Sequence, residues 1–258
     1  MNRDFINQKI LVTGSSSGIG AAIAKSFAKY NTKLILHYNR NYEGVIDTRK
    51  EVIQRGSQAK ILQCDFRNEE EAPQFFSDAV TFFCGIDILI NNAGVIPKKE
   101  INDTDLKLWK DTFSINLNFP FLLSKLFVSD RLEKGKVGAI LNISSIHGDI
   151  SCEKFSAYSA SKAALNALMQ VQAVEWSKHN IRVNTISPGV IEVERNKHKL
   201  REQKKLWMPK IPLGRYGTTH EIGELAVFLC SGSASWITGQ TFTIDGGTTA
   251  RGNYPIRE

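Results

Sequence analysis

An apolar segment, a glycine-rich turn and a helical segment follow one another near the start of the chain, and this order restricts the fold most strongly. Lys9–Val12 is apolar, Thr13–Gly20 reads TGSSSGIG, and Ala21–Tyr30 has a helical pattern. Glycines let the backbone turn tightly and approach a pyrophosphate, whose charge the helix N-terminus then stabilises. A tight turn capped by serines is the alternative, but the flanking strand and helix favour a dinucleotide site.

Strand and helix patterns alternate along the rest of the chain. Further strands are predicted at Lys33–His37, Ala59–Gln63, Ile86–Ile90, Gly138–Ile143, Arg182–Ser187 and Gln240–Ile244, and helices at Asn68–Phe83, Asp103–Leu132 and Glu221–Cys230. Such alternation is typical of a parallel sheet with helices on both faces. We therefore predict an α/β fold, a doubly wound Rossmann-type domain with seven parallel strands.

Composition is consistent with one domain over residues 1–258. The chain is 42% apolar and 23% charged, and its four cysteines are far apart. We therefore expect reduced thiols and no metal site. Neither a signal segment nor an apolar run of membrane-spanning length is present, so the prediction is a cytoplasmic protein with no membrane partner.

The net charge of +7, from 33 basic and 26 acidic residues, suggests an anionic partner. No zinc-finger, helix-turn-helix or RNP pattern is present, so we expect no nucleic-acid partner. A phosphate-bearing cofactor or substrate explains the charge more simply. The one basic cluster, Arg195–Lys210, lies in a charged segment at residues 192–210 that is either a solvated face or a lid over the substrate.

The end of the second strand predicts the choice of cofactor. An acidic residue about 20 positions after the glycines would bind the ribose of NAD and repel a 2′-phosphate. Tyr38, Asn39 and Arg40 occupy this region instead. Because arginine can bind a phosphate with two hydrogen bonds, we predict NADP(H) as the preferred cofactor, with NAD(H) as the alternative if Arg40 points into solvent.

A phenol and an ammonium lie four residues apart in Tyr158–Lys162, which reads YSASK in a helical segment. One helical turn places both groups on the same face. At ~4 Å and an effective dielectric of ~20, their attraction is about 4 kcal/mol, which would lower the phenol pKa by roughly 3 units before the cost of burial. The pair is either a catalytic acid and base or a partly buried tyrosine beside a surface lysine.

Other polar residues follow predicted strands or interrupt a helix. Asp65 and Asn91–Gly94 fall at carboxyl ends of strands, where ligands bind; Asp65 is alternatively a cap or turn residue. Asn116 lies within a predicted helix, where it could be a buried amide that bonds a neighbouring carbonyl. Ser145 follows the fifth strand, and serines are common there.

Together these motifs resemble those of the short-chain dehydrogenase/reductase family, over Lys9 to about Gly247. The resemblance rests on TGSSSGIG at 13–20, NNAG at 91–94, Asn116, Ser145, YSASK at 158–162 and PG at 188–189. It implies an NADP(H)-dependent oxidoreductase that interconverts a ketone and a secondary alcohol, most like the 3-oxoacyl-carrier-protein reductase branch, and a homotetramer with the Tyr158 helix in one interface. A sugar or polyol dehydrogenase and a non-catalytic NADP-binding sensor or scaffold are the alternatives.

The resemblance also assigns roles to residues. Tyr158 would exchange the proton, Ser145 would polarise the substrate oxygen, Lys162 would lower the tyrosine pKa and hold the nicotinamide ribose, and Asn116 would anchor a water. The predicted cofactor-binding residues are Gly14, Ser16, Ser17, Gly18, Ile19, Gly20, Tyr38, Asn39, Arg40, Asp65, Phe66, Asn92, Ala93, Gly94, Tyr158, Lys162, Pro188, Gly189 and Ile191.

This chain departs from the family pattern in two places. Val193 stands where many members carry a threonine near the nicotinamide carboxamide, and Arg40 lies one place beyond the arginine of several NADP-preferring relatives. The resemblance implies a small-molecule or acyl-thioester substrate, and the basic segment would suit an acidic carrier protein. Neither the substrate nor the direction of the reaction follows from the sequence.

Overall fold

The computed structural model describes residues 5–150 and 152–251 of the chain. The strands in this part are β1 (Lys9–Val12), β2 (Lys33–Tyr38), β3 (Gln58–Gln63), β4 (Ile88–Asn91), β5 (Gly138–Ile143), β6 (Ile181–Pro188), β7 (Ile191–Glu192), β8 (Gly217–Thr218) and β9 (Thr241–Ile244). Seven of them form a parallel sheet in the order β3-β2-β1-β4-β5-β6-β9, while β7 and β8 pair separately. The predicted seven-stranded parallel sheet is confirmed.

Helices connect these strands on both faces of the sheet. Their bounds are α1 (Gly18–Phe27), α2 (Tyr42–Gln54), α3 (Ala72–Phe83), α4 (Leu106–Phe113), α5 (Phe119–Glu133), α6 (Ser156–Trp176), α7 (Lys197–Glu202), α8 (Lys204–Trp207) and α9 (Thr219–Cys230). Among the described helices, none has the length and apolar character needed to cross a membrane.

Both faces of the sheet are buried because apolar residues run continuously along its strands. In β1, Ile10 and Val12 pack into one apolar cluster with residues of α1, α2 and α9. Leu11 points the other way and packs with residues of α3, α5 and α6. Side chains alternate between faces along a strand, so a continuous apolar run predicts helices on both sides.

The strand order reverses at β1, which pairs with β2 on one side and β4 on the other. In an open parallel sheet, ligands bind in the crevice beyond the carboxyl ends of the strands at such a point. The segments that follow β1, β4 and β5 therefore meet at one edge, and they carry the glycine-rich turn, Asn92 and Ser145.

The long helical region predicted over Asp103–Leu132 is present from residue 106 to residue 133, but it contains an irregular turn. The chain forms α4, one π-helical turn at Ser114–Asn118, and then α5. A π turn inserts an extra residue into the helical ladder, and such turns are frequent at functional sites. Asn116 lies in this turn and is fully buried.

The charged segment at residues 192–210 is helical, as expected from its sequence, but broken into short pieces. Two 3₁₀ turns flank α7 and α8. The segment is fixed to the rest of the protein at Leu200, whose side chain is buried and whose carbonyl accepts a 2.8 Å hydrogen bond from the Tyr216 hydroxyl. Residues 1–4 and 252–258 of the predicted domain lie outside the described residues.

Candidate active site

The glycine-rich turn lies so close to the loop after β4 that side chains would not fit. Gly14 has a φ of +64°, and a Cβ there would lie 2.8 Å from Ala93 Cα. A Cβ at Gly20 would lie 2.3 Å from Asn92 Nδ2. The Asn92 amide donates to the carbonyls of Thr13 at 2.8 Å and Gly14 at 3.1 Å. The side chain of Asn92 therefore braces the turn from behind.

The helix that follows this turn presents an uncapped N-terminus. α1 begins at Gly18, and the hydroxyl of Ser17 before it caps none of the described N–H groups. The first turn contains no acidic residue. The first N–H groups of a helix have no partner within it and carry partial positive charge. This end of α1, beside a turn in which Gly14, Gly18 and Gly20 carry no side chain, fits a pyrophosphate.

The residues predicted to meet the adenosine part of the cofactor lie at the ends of β2 and β3. Arg40 is exposed, and Tyr38 is half-buried beside Tyr42. Asp65 accepts a hydrogen bond from the Arg67 side chain at 3.0 Å, and this bond holds the pKa of Asp65 at about 2. Asp65 also accepts from the Arg67 backbone N–H at 3.1 Å. Asp65 thus acts as a turn residue in this structure, and its contact with the adenine stays a prediction.

The aromatic ring of Phe66 lies in the core and does not line the cofactor edge. Its side chain is buried, and the ring stacks between His37 at 4.1 Å and Phe119 at 3.7 Å. If Phe66 binds the cofactor as predicted, it does so through its backbone and not through its ring.

The side-chain amide of Asn116 both accepts a hydrogen bond from the backbone of the loop after β4 and donates one to it. Its Oδ1 accepts from Val95 N at 2.9 Å, and its Nδ2 donates to Val95 O at 3.0 Å and to Ser161 Oγ at 3.0 Å. The structure therefore contains the buried amide bonded to a nearby carbonyl that the sequence analysis offered for Asn116. A Cβ built at Gly94 would lie 3.3 Å from Asn116 Oδ1 and 3.6 Å from Lys162 Nζ.

Ser145, Tyr158 and Lys162 converge at the carboxyl end of β5. Tyr158 is 6% exposed, and the Ser145 hydroxyl is near enough to its phenol to act toward a lower phenol pKa. Lys162 is 4% exposed; its ammonium donates to Ile143 O at 2.8 Å and lies 6.0 Å from the centre of the Tyr158 ring. Both belong to α6, as the four-residue spacing predicted.

Burial acts against the lowering of the Tyr158 pKa that the spacing predicts. It raises the pKa of Tyr158, while the hydrogen bond from Ser145 and the charge of Arg195 act in the opposite direction. Burial also lowers the pKa of Lys162 to about 8. The lowering of the phenol pKa by Lys162 stays a prediction, and desolvation of the phenolate acts against it.

The loop after β6 closes the other side of the crevice. Ile191 is buried, and the Asn196 side chain donates to Ile191 O at 3.0 Å and accepts from Val193 N at 2.8 Å. A Cβ at Gly18 would lie 3.4 Å from Val193 Cγ1. Val193 therefore packs over the N-terminus of α1. Gly189, beside Pro188, donates its N–H to Ile244 O at 3.0 Å.

Three residues of this region were missed by the sequence analysis. His37 bonds the glycine-rich turn and is described below. His147 stacks on Phe155 at 4.8 Å and contacts Tyr158 edge-on at 6.2 Å. The positive charge of Arg195 acts toward a lower pKa of the Tyr158 phenol. In the sequence, the signal for the two histidines is their position: His37 directly precedes Tyr38, and His147 follows Ser145 by two residues.

Known proteins with similar sequences and structures cover nearly the whole chain. Residues 14–249 match the family model described as enoyl-(acyl carrier protein) reductase, a short-chain dehydrogenase/reductase model. The NAD-dependent glycerol dehydrogenase of Listeria innocua is 36% identical over 97% of this chain and 98% of its own length. Glucose 1-dehydrogenase 2 of Bacillus subtilis is 31% identical over 96% of this chain and 97% of its own length.

A solved structure gives the same result in three dimensions. A protein of Agrobacterium tumefaciens with bound NADP is 31% identical, with a TM-score of 0.88 over 97% of this chain and 100% of that chain. The relatives are dehydrogenases that act on CH–OH groups. With the glycine-rich turn, the uncapped helix and the Ser145–Tyr158–Lys162 cluster at one sheet edge, these matches show that the chain is an oxidoreductase of the short-chain dehydrogenase/reductase family.

Proposed function

We propose that this protein interconverts a ketone and a secondary alcohol with NADP(H) as the preferred cofactor. The observation that carries the proposal is that three buried groups, the Ser145 hydroxyl, the Tyr158 phenol and the Lys162 ammonium, meet at the carboxyl end of β5, with Tyr158 and Lys162 on one face of α6. Two neighbouring hydroxyl groups can bind a carbonyl or alcohol oxygen between them. The nicotinamide cofactor, when bound, supplies or accepts the hydride.

The protein's own groups handle the proton. In reduction, Ser145 donates a hydrogen bond to the carbonyl oxygen and the Tyr158 phenol transfers its proton to that oxygen as negative charge develops there. In oxidation, the Tyr158 phenolate removes the alcohol proton. Lys162 stabilises the phenolate electrostatically and is placed to hold the cofactor ribose. Asn116 supports the site through Val95, and a water held there is the proposed route for the proton to solvent.

The preference for NADP(H) rests on the end of β2. Positions 38–40 carry no carboxylate that would repel a 2′-phosphate, and the exposed Arg40 is free to approach one. One relative is NAD-dependent and one similar structure holds NADP, so both cofactors occur among similar proteins. We therefore expect NAD(H) to be accepted as a weaker cofactor.

Arg40→Asp is expected to weaken NADP⁺ binding by about tenfold to a hundredfold and to change NAD⁺ binding little. The substitution removes a charge-assisted hydrogen bond and places a carboxylate beside the 2′-phosphate. Calorimetric Kd values for both cofactors measure the effect. Lys136→Asp, an exposed site at the opposite edge of the sheet, makes the same change in net charge and serves as the control. Equal losses for NADP⁺ and NAD⁺ would contradict the assignment.

The rate of alcohol oxidation is expected to rise about tenfold per pH unit from roughly pH 6 up to about pH 8. Burial raises the pKa of Tyr158 above its usual value, so in this range the phenolate fraction increases with pH. The rise should weaken near pH 8, where Lys162 begins to lose its proton because burial lowers its pKa to about 8. Ketone reduction uses the protonated phenol and should stay flat. Steady-state rates at saturating cofactor test this, and an oxidation rate independent of pH would contradict the role of Tyr158.

For the substrate, we propose a 3-oxoacyl thioester, carried by an acidic protein that docks on the lid at residues 192–210. Six of the residues in 197–205 are basic or histidine, and Lys204 and Lys205 are exposed. A polyol or sugar is the second candidate, favoured by the glycerol and glucose dehydrogenases among the relatives. NADPH oxidation with a short 3-oxoacyl thioester, run beside NADP⁺ reduction with glycerol or glucose, distinguishes the two.

We also propose that residues 1–258 form one cytoplasmic domain that assembles as a homotetramer through two apolar surfaces. The first lies on α5 and α6, where Phe121, Val171 and Val174 are exposed. The second includes Phe228 on α9 and Trp236, which is 100% exposed. Exposed large apolar side chains on packed helices are typical of interfaces. Light scattering of the purified protein gives the oligomeric state.

A further inference from the structure

His37, the residue before Tyr38 in β2, is buried under the glycine-rich turn and bonds backbone with both ring nitrogens. Its side chain is 2% exposed. Gly14 N–H donates to Nδ1 at 3.0 Å, and Nε2 lies 3.1 Å from Cys64 O. Because Gly14 supplies the hydrogen to Nδ1, that nitrogen must be the acceptor, and the ring proton must be on Nε2, where it is donated to Cys64. The two bonds fix one neutral tautomer.

The ring has little freedom to move. It stacks on Phe66 with a centroid distance of 4.1 Å and an angle of 3° between the rings, and Phe75 contacts it edge-on at 5.3 Å. The His37 carbonyl adds two further bonds to the turn, since it accepts from Ser15 N at 2.8 Å and from Ser15 Oγ at 3.2 Å. Positions 14 and 15 of the turn are thus held by one residue of β2.

We propose that neutral His37 is a positioning residue for the cofactor, which holds the Gly14 backbone in the conformation that receives the pyrophosphate. His37 lies behind the turn and acts through Gly14. This inference rests on the proposed dinucleotide site at the turn and the N-terminus of α1. Both NAD and NADP contain the pyrophosphate, so His37 affects the two cofactors equally, whereas Arg40 distinguishes them.

The charges around His37 favour the neutral ring at working pH. Burial lowers the pKa of His37 to about 4, although the bond to Cys64 and the charge of Asp65 act in the opposite direction. On the β3 side, Asp65 is paired with Arg67, and Glu71 accepts from the Cys64 thiol at 3.4 Å. Phe75 of α3 and Phe66 bring no charge, and neither do Gly14 and Ser15. Protonation would place an N–H at Nδ1 against the Gly14 N–H, so the turn would lose its bond.

The test compares His37→Phe with Phe75→Leu. His37→Phe keeps an aromatic ring in the stack but removes the acceptor for Gly14, while Phe75→Leu loosens the same stack and keeps the acceptor. We expect His37→Phe to raise the Kd of NAD⁺ and of NADP⁺ by the same factor, about tenfold to a hundredfold, because an orphaned N–H shifts the turn away from its binding conformation. Phe75→Leu should change these Kd values less than threefold while lowering the unfolding midpoint.

A spectroscopic measurement separates positioning from general stability. In wild-type protein with ¹⁵N-labelled histidine, the His37 signals are identified as those that are absent from His37→Phe. At pH 5, where solvent-exposed histidines are protonated, we expect these signals to show a neutral ring with its proton on Nε2. Cofactor Kd values in His37→Phe within twofold of wild type, or a protonated His37 at pH 5, would overturn the proposal. If wild-type protein binds neither dinucleotide, the proposed function fails, and this inference with it.

Discussion

Tyr158→Phe should abolish most of the turnover and leave cofactor binding intact. The substitution removes one oxygen from a side chain that is 6% exposed and leaves the ring in place beside Phe155 and His147. Because the phenol is the proposed proton donor and acceptor, kcat should fall by about 10² to 10⁴ in both directions. The Kd of NADP⁺, set at the glycine-rich turn, should change less than threefold.

The control is Tyr30→Phe, which makes the same chemical change after α1, where the Tyr30 ring packs on Phe5. It should leave kcat unchanged. The pair of variants also decides between an enzyme and a cofactor-binding sensor: a sensor would keep its cofactor response in Tyr158→Phe and would have no turnover to lose. Wild-type turnover that survives in Tyr158→Phe would remove the tyrosine from the mechanism.

The fold could be predicted from the sequence because its signals are local and repeated. The run Lys9–Val12 is apolar at every position after the first, so both faces of its strand had to be covered. Parallel pairing then follows from the helices between strands, and the glycine-rich turn identifies β1. The same argument brings Asn92 and Ser145 to one edge of the sheet, since each follows a strand.

The details of the site depend on contacts between distant residues, and these were not predictable. The π turn between α4 and α5 carries Asn116, whose amide bonds Val95, 21 positions away. The bond from Gly14 to His37 spans 23 positions. The titration of Tyr158 depends on how deeply α6 is buried, and helical spacing places Lys162 beside it without giving that depth. Spacing therefore predicts which groups meet, whereas their energies require the packed structure.

Burial of Lys162 leads to the second large prediction, which concerns stability. The ammonium is 4% exposed and, among the described residues, its hydrogen bond is to a carbonyl, that of Ile143 at 2.8 Å. Burial lowers the pKa of Lys162 from 10.5 to about 8. The folded state therefore disfavours the charged form by about 3 kcal/mol relative to the unfolded chain. The buried ammonium therefore lowers the stability of the folded protein, and the proposed chemistry is the reason that the site retains it.

Lys162→Met should therefore give a protein that is more stable and nearly inactive. Methionine has a similar length and no charge to desolvate, so the free energy of unfolding at pH 7 should rise by about 1 to 3 kcal/mol, less whatever the unpaired Ile143 carbonyl costs. Turnover should fall at least about a hundredfold, because the phenolate of Tyr158 loses the buried ammonium that lies 6.0 Å from the centre of its ring. Urea unfolding and steady-state rates measure the two effects.

The pH dependence of stability distinguishes this cause from better packing. Below about pH 8 Lys162 is protonated in both the folded and the unfolded state, and the whole penalty is present. Between pH 8 and 10.5 the folded state loses the proton first, so the penalty decreases and wild-type stability rises relative to Lys162→Met. Lys60→Met, at an exposed position of β3, should show no such change. A stability difference that stays constant from pH 7 to 10 would assign the gain to packing, and a less stable Lys162→Met protein at pH 7 would mean that the bond to Ile143 outweighs the cost of burying the charge.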